Sequence, residues 1–211
     1  MRMSFDPRPK ILFLATGTKT GGGTTVANVL GHCHPTSRSV VLDATVVGIV
    51  SNIKGGGVHN IADSHEIPFF YNAGETGADY QEIYALCKEC GASTIGLLGW
   101  NRIVTVFDPK IYMWNVHPGP PQTAGLYKRK VYERTLELFR KGEIRESRVI
   151  VHEVIKEVDK GKVIFSHPVA IKDTDGIEEL QARTKKVEDF FVPVMADRIA
   201  HGLCTPVLYV W

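Results

Sequence analysis

Short apolar runs alternate with helix-patterned segments along the first half of the chain, and this alternation restricts the possible folds more than any other feature. Lys10 to Ala15 (KILFLA) has the character of a buried strand, and Val40 to Val50 is rich in valine. Ile67 to Tyr71 and Thr94 to Leu98 repeat the pattern, and Tyr112 to Val116 enters His117-Pro118-Gly119-Pro120-Pro121. Between these runs, Thr24 to Leu30 reads as a helix start with Thr24 as N-cap. A helical piece is expected around His59 to Ser64. Ala78 to Cys90 places Tyr80, Ile83, Tyr84, Leu86 and Cys87 at helical spacing ahead of Gly91. Strands that alternate with helices need crossover connections, so the expected class is α/β, a Rossmann-like, mainly parallel sheet flanked by helices.

The second half changes character. Val131 to Lys141 predicts a helix closed by Gly142. Arg148 to Ile155 alternates as a strand does, and Val163 to Ile171 is a further extended run, with Asp159-Lys160-Gly161 as the turn between them. These two strands predict an antiparallel C-terminal extension. Ile177 to His201 predicts a long amphipathic helix whose core face carries Ile177, Leu180, Val187, Phe191, Val194 and Ile199. No internal repeat or low-complexity linker interrupts the chain, so residues 1–211 are expected to form a single domain.

Composition excludes several classes of function. The formal charge is +2, from 25 basic and 23 acidic residues, without the basic excess of a dedicated nucleic-acid binder. Met1 to Lys10 lacks the apolar core of a signal peptide, and no run approaches a membrane span, so a soluble cytoplasmic protein is expected. Cys87 and Cys90 form a lone C-x-x-C without a second ligand pair; a helix-end pair is expected there, and no metal site.

Three segments can carry chemistry. Thr16 to Thr25 (TGTKTGGGTT) follows a strand and opens a helix, where backbone N–H groups and the helix dipole attract anions. It approaches a P-loop, but the lysine position holds Gly23; a degenerate P-loop nucleotide-binding protein is an alternative reading from a different class, as is a non-catalytic folate or nucleotide binder. Asn115 and His117 are two residues apart at a strand end and project to one side, an amide donor beside a titratable imidazole. His152 lies among Ile150 and Val154, where a lone histidine is usually a core residue, and Asp159 sits where turns favour Asp.

The order of these segments resembles the folate-dependent formyltransferase family across nearly the whole chain. The resemblance rests on Asn115-Val116-His117-Pro118, Gly125-Leu126, and His152 followed by Asp159-Lys160-Gly161. The glycine-rich loop and Glu188 point to the branch that formylates glycinamide ribonucleotide. The resemblance implies a formyltransferase fold. It implies transfer of a formyl group from 10-formyltetrahydrofolate as cosubstrate to an amine, with Asn115, His117 and Asp159 as the catalytic group and protonated His117 helping to hold the developing oxyanion. It implies that Gly22, Gly23, Thr24, Thr25, Lys185 and Glu188 bind the ribonucleotide, and that Arg102, Ile103, Val104, Val154 and Val158 bind the folate. Residues 1–100 would then be a phosphate-binding half and residues 101–211 a catalytic and folate-binding half.

The chain departs from the family pattern in several places. The first loop, usually Gly-x-Gly-Ser-Asn, is longer and ends Gly-Gly-Thr-Thr. The segment after His-Pro, usually Ser-Leu-Leu-Pro, reads Gly119-Pro120-Pro121-Gln122. The usual Met-Arg is Asn101-Arg102, and Lys128-Arg129-Lys130 reads as a solvated helix start. Another amine, such as an amino sugar nucleotide, is the alternative acceptor within the same chemistry. The expected partners are small molecules, with no nucleic acid or membrane, and both monomer and homodimer stay open.

Overall fold

From Ile11 to Leu14, β1 (Lys10–Leu14) is buried on both faces, as a central strand between two helical layers must be. The computed structural model describes residues 7–33 and 41–204. After β1 come a small hairpin, β2 (Gly17–Thr18) and β3 (Gly21–Gly22), and then α1 (Thr24–Gly31). The chain continues through β4 (Thr45–Ser51), α2 (Gly57–Ser64), β5 (Phe69–Tyr71), α3 (Gly77–Glu89) and β6 (Thr94–Leu97). It then forms β7 (Tyr112–His117), a 3-10 turn at Pro121–Thr123, α4 (Arg129–Arg140), β8 (Glu146–Glu153), β9 (Val163–Ala170) and α5 (Ile177–Ala200).

One seven-stranded sheet has the order β5-β4-β1-β6-β7-β8-β9. Pairings from β5 through β7 are parallel, and β7–β8 and β8–β9 are antiparallel. This is the mainly parallel sheet with an antiparallel extension and long final helix that the sequence predicts. The chain leaves β1 toward β4 and β5, then returns to its other side at β6. Such a reversal opens a crevice beyond the C-terminal strand ends.

Both faces are covered. Ile11, Phe13 and Trp114 pack with Val26 and Val29 of α1, Val58 of α2, and Val192 and Met195 of α5. Leu12, Leu14, Ile95 and Met113 pack with Tyr80, Ile83 and Cys87 of α3. A third cluster joins Tyr132 and Leu136 of α4 to Val149, Val169 and Leu180. α3 starts on a capping box: Thr76 Oγ1 accepts from Asp79 N–H, and Asp79 Oδ2 accepts from Thr76 N–H.

Several boundaries differ from expectation. The N-cap of α1 is Gly23 at φ 79°, and Thr24 is already helical with no side-chain cap. The left-handed turn out of the β2–β3 hairpin demands a residue without a Cβ, and glycine meets that demand before threonine can cap. The second strand starts at Thr45; Leu42 makes only an isolated bridge with Cys33, and Val40 lies outside the described residues, as do 1–6 of the N-terminal segment. On α5 the buried face turns along the helix. Leu180 and Ile199 are buried as expected, but Thr184, Val192, Met195 and Ala196 are buried too, while Ile177, Val187, Phe191 and Val194 are only half-buried. The cause is a change of neighbours, from α4 and the last strands to α1 and the sheet centre.

Pro193 lies inside α5 and has no N–H for the Asp189 carbonyl. Asn28 of α1 supplies the missing donor, with Nδ2 2.8 Å from that oxygen. A proline that would weaken the helix is thereby turned into a tie between two helices.

Candidate active site

The C-terminal end of β7 carries Asn115 and His117 on the face opposite Trp114 and Val116. In the antiparallel neighbour, His152 stands opposite Asn115 in register, which puts all three polar side chains on one face. Asp159 arrives from the 154–162 connection between β8 and β9. It adopts φ 56°, a left-handed conformation that Asp tolerates better than most residues. Gly161 allows this path: a Cβ there would lie 1.9 Å from the Glu153 carbonyl oxygen. The loop folds against the strand end only because that position is bare.

The result is a tight polar group. Asn115 Nδ2 donates to Asp159 Oδ1 at 3.3 Å and lies 3.2 Å from His152 Nε2. His152 Nδ1 lies 2.9 Å from the Glu153 carbonyl, which can only accept. Nδ1 therefore carries the proton, and in the neutral ring Nε2 accepts from Asn115. Asp159 Oδ2 accepts from Gly125 N–H at 2.9 Å and lies 3.5 Å from His117 Nδ1. His117 Nε2 lies 2.8 Å from Thr123 Oγ1.

Burial dominates the His117 ring and pulls its pKa down to about 4, against the raising effect of Asp159. The ring is therefore neutral at pH 7 in this arrangement. For Asp159, burial pushes the pKa up, but the partners around it prevail. His152 Nε2, 3.4 Å from Asp159 Oδ1, the neighbouring His117 and the Gly125 N–H together hold it below its ordinary value, so it is an anion.

These residues form the floor of a cavity of about 610 Å³. Arg102, Ile103 and Val104 line it, as do Val154 and Val158. Ile103 and Val158 are 62% and 43% exposed, apolar side chains turned to open space at the mouth. Arg102 is held by Glu75 at 2.8 Å. Of the residues expected to bind the ribonucleotide, Thr25 and Glu188 line the cavity. Lys185 stands next to them, donating to Thr25 Oγ1 at 3.1 Å and to Asp189 Oδ1 at 2.6 Å. Burial pushes Glu188 up to about 7 despite Lys185 nearby. Gly22, Gly23 and Thr24 are not among the residues that line the cavity; Gly22 pairs with Gly17 in the hairpin. Gly56 and Gly57 of the α2 start take the hairpin in close contact: a Cβ on Gly57 would lie 2.3 Å from the Gly21 carbonyl oxygen. In the Lys128-Arg129-Lys130 run, Arg129 pairs with Glu133 and Glu178, while Lys128 edges the cavity.

Residues 10–195 match the family described as formyl transferase. The chain belongs to the formyl transferase family. As a formyl transferase, it is 36% identical over 103 residues to the phosphoribosylglycinamide formyltransferase of Dictyostelium discoideum, covering 44% of this chain and 48% of that one. The chain thus spans about half the length of the first two curated relatives it matches. Against the Haemophilus influenzae enzyme of the same name it is 28% identical over 193 residues, 87% of this chain and 85% of that one. The solved glycinamide ribonucleotide transformylase 1 from Symbiobacterium toebii has the same fold, with TM-score 0.76 at 20% identity, covering 96% of this chain and 92% of that one.

Two members of this site are given no role by the sequence. His152 is part of the motif that carries the resemblance, but by its own pattern it reads as a core histidine, and only the β7–β8 pairing sets it opposite Asn115. Thr123 carries no motif signal at all, since only the 3-10 turn delivers it to His117.

Proposed function

We propose that this formyl transferase moves a formyl group from 10-formyltetrahydrofolate to the amine of glycinamide ribonucleotide, the purine-synthesis reaction for which its relatives are named. The observation that carries the reading is the Asn115–His117–His152–Asp159 group on the floor of a cavity edged by apolar side chains. A flat pteridine suits the space between Arg102–Val104 and Val154–Val158, and main-chain groups there can read its edge. The phosphate belongs at the first turn of α1, where N–H groups lack helical partners, with Thr25 and Lys185 beside it. Lys185 must leave Asp189 to reach it. Glu188 faces the sugar or amine. The chain acts as one domain, with residues 1–100 carrying the phosphate and 101–211 the chemistry.

In the reaction the substrate amine attacks the formyl carbon, and the carbonyl electrons move onto oxygen. Asn115 Nδ2 exchanges one of its present acceptors for that oxyanion, whose stabilisation by a positioned donor is typically worth roughly 10²–10³ in rate. Neutral His117 takes the proton from the attacking nitrogen at Nδ1. The resulting imidazolium is stabilised by Asp159, and it returns the proton to the departing folate nitrogen as the carbon–nitrogen bond breaks. No covalent enzyme intermediate forms.

The test is direct. Purified protein is mixed with 10-formyltetrahydrofolate or its 5,8-dideaza analogue, and deformylation is followed with glycinamide ribonucleotide and with a panel of amino sugar nucleotides. Acceptor-dependent turnover with glycinamide ribonucleotide is expected. Turnover with an amino sugar alone would reassign the acceptor, and none with any acceptor would remove the enzymatic reading.

A further inference from the structure

We propose that Thr123 is a positioning residue that fixes the tautomer of His117, leaving Nδ1 free to accept a proton. The catalytic consequence rests on the formyl-transfer reading above; the tautomer itself does not.

A count of protons fixes the tautomer. Thr123 is fully buried. Its hydroxyl has one hydrogen, and the Pro120 carbonyl, 2.7 Å away, can only accept. That hydrogen is therefore committed to Pro120, and toward His117 Nε2 the Thr123 oxygen can act only as an acceptor. Nε2 must carry a proton, so the neutral ring keeps its lone pair on Nδ1. The 3-10 turn locks this arrangement, because Thr123 N–H also donates to the Pro120 carbonyl at 2.9 Å.

Without Thr123 the balance would reverse. Asp159 Oδ2 lies 3.5 Å from Nδ1, and a carboxylate draws an imidazole proton to the near nitrogen. The ring would then donate to Asp159, and its basic nitrogen would face the buried turn. The other groups facing His117 do not settle the choice. His152 opposes a charge on the ring, and Asn115 is committed to His152 and Asp159.

Gly119 belongs to the same device. A Cβ at this position would lie 2.4 Å from Thr123 Oγ1 and 3.3 Å from His117 Nε2. The chain departs from Ser-Leu-Leu-Pro at this segment, and the bare Gly119 leaves the space that the Thr123 hydroxyl occupies.

The experiment uses the full chain with Thr123→Val, Thr123→Ala and Thr123→Ser. Imidazole ¹⁵N chemical shifts of His117, identified by its loss in His117→Asn, report the tautomer whether or not any substrate is known. Wild type and Thr123→Ser should show the proton on Nε2, and Thr123→Val should show it on Nδ1. With a formyl donor and acceptor, Thr123→Val should lose kcat by roughly 10²–10⁴-fold, the upper end being the cost of a wrong histidine tautomer in a catalytic triad, with KM held within about threefold. The acid limb of kcat/KM should move to lower pH, and Thr123→Ser should restore both. If Thr123→Val fails to fold by circular dichroism, Thr123→Ala serves the same comparison. An Nδ1–H ring in wild type, or an unchanged tautomer in a folded variant, overturns the proposal. Wild-type inactivity with every acceptor removes the functional reading and leaves the tautomer result to stand or fall alone.

Discussion

Asn115 and His152 face each other directly across the β7–β8 pair, with Nδ2 of one 3.2 Å from Nε2 of the other. The asparagine amide is thus aimed by two acceptors at once, His152 and Asp159. An amide held this way keeps its N–H₂ edge toward the reacting centre and loses little orientation freedom on binding. Replacing His152 with Ala frees one side of that edge. The expected result is a drop in kcat on the order of 10-fold to 10²-fold, smaller than for Asn115→Ala, because the donor remains and only its aim is lost. Steady-state kinetics on the two variants would check the order; equal losses would count against the aiming role.

Asp159→Asn keeps the size of the side chain and its tolerance of positive φ, but removes the charge. The expected loss in kcat/KM is roughly 10²–10³-fold. The direction of the pH effect follows from His117. The Asp159 charge raises the affinity of that ring for a proton, so its removal moves the acid limb of the kcat/KM profile to lower pH. A shift to higher pH would contradict the assignment of that limb to His117.

Glu188 offers a stability test that is independent of substrate. Burial lifts its pKa to about 7 in the folded state, above the ordinary carboxylate value. As pH rises from that ordinary value toward 7, the unfolded chain releases its proton first, so folding stability falls through this window and levels off above it. Glu188→Gln removes this loss. The variant should gain stability relative to wild type between pH 5 and 7.5, by a few kcal/mol at most. Urea melts at several pH values would measure it, and parallel curves for the two proteins would refute it.

Asn28→Ala tests the tie between α1 and α5. The Asp189 carbonyl, already without a helical donor because of Pro193, would lose Asn28 Nδ2 as well. Leaving a part-buried acceptor unsatisfied costs about 1–3 kcal/mol. A second substitution, Pro193→Ala, restores a helical N–H and should recover part of that loss. Denaturation midpoints of the single and double variants decide the matter; no recovery would mean that Pro193 is not the reason Asn28 is needed.

Much of the scaffold follows from local pattern. KILFLA is too short for a typical helix and ends at a glycine-rich loop, so it reads as a buried strand, and helical spacing in Ala78 to Cys90 gives that segment an apolar face to lay on the sheet. Asn115 and His117 share a side because two residues on a strand always do. These are short-range consequences of chain geometry, and they survive whatever packs around them.

Other features depended on parts of the chain far apart in sequence. Gly23 rather than Thr24 caps α1 because a hairpin must turn left-handed there, and that hairpin forms against α2. His152 joins the site through its register opposite Asn115, and Asp159 through a loop that Gly161 allows to pass the Glu153 carbonyl. Thr123 meets His117 only because a 3-10 turn folds it back. Side-chain chemistry was present in the sequence from the start. Which nitrogen carries a proton, and which carboxylate stays charged, was decided by burial and by neighbours that only the tertiary fold brings within a few ångströms.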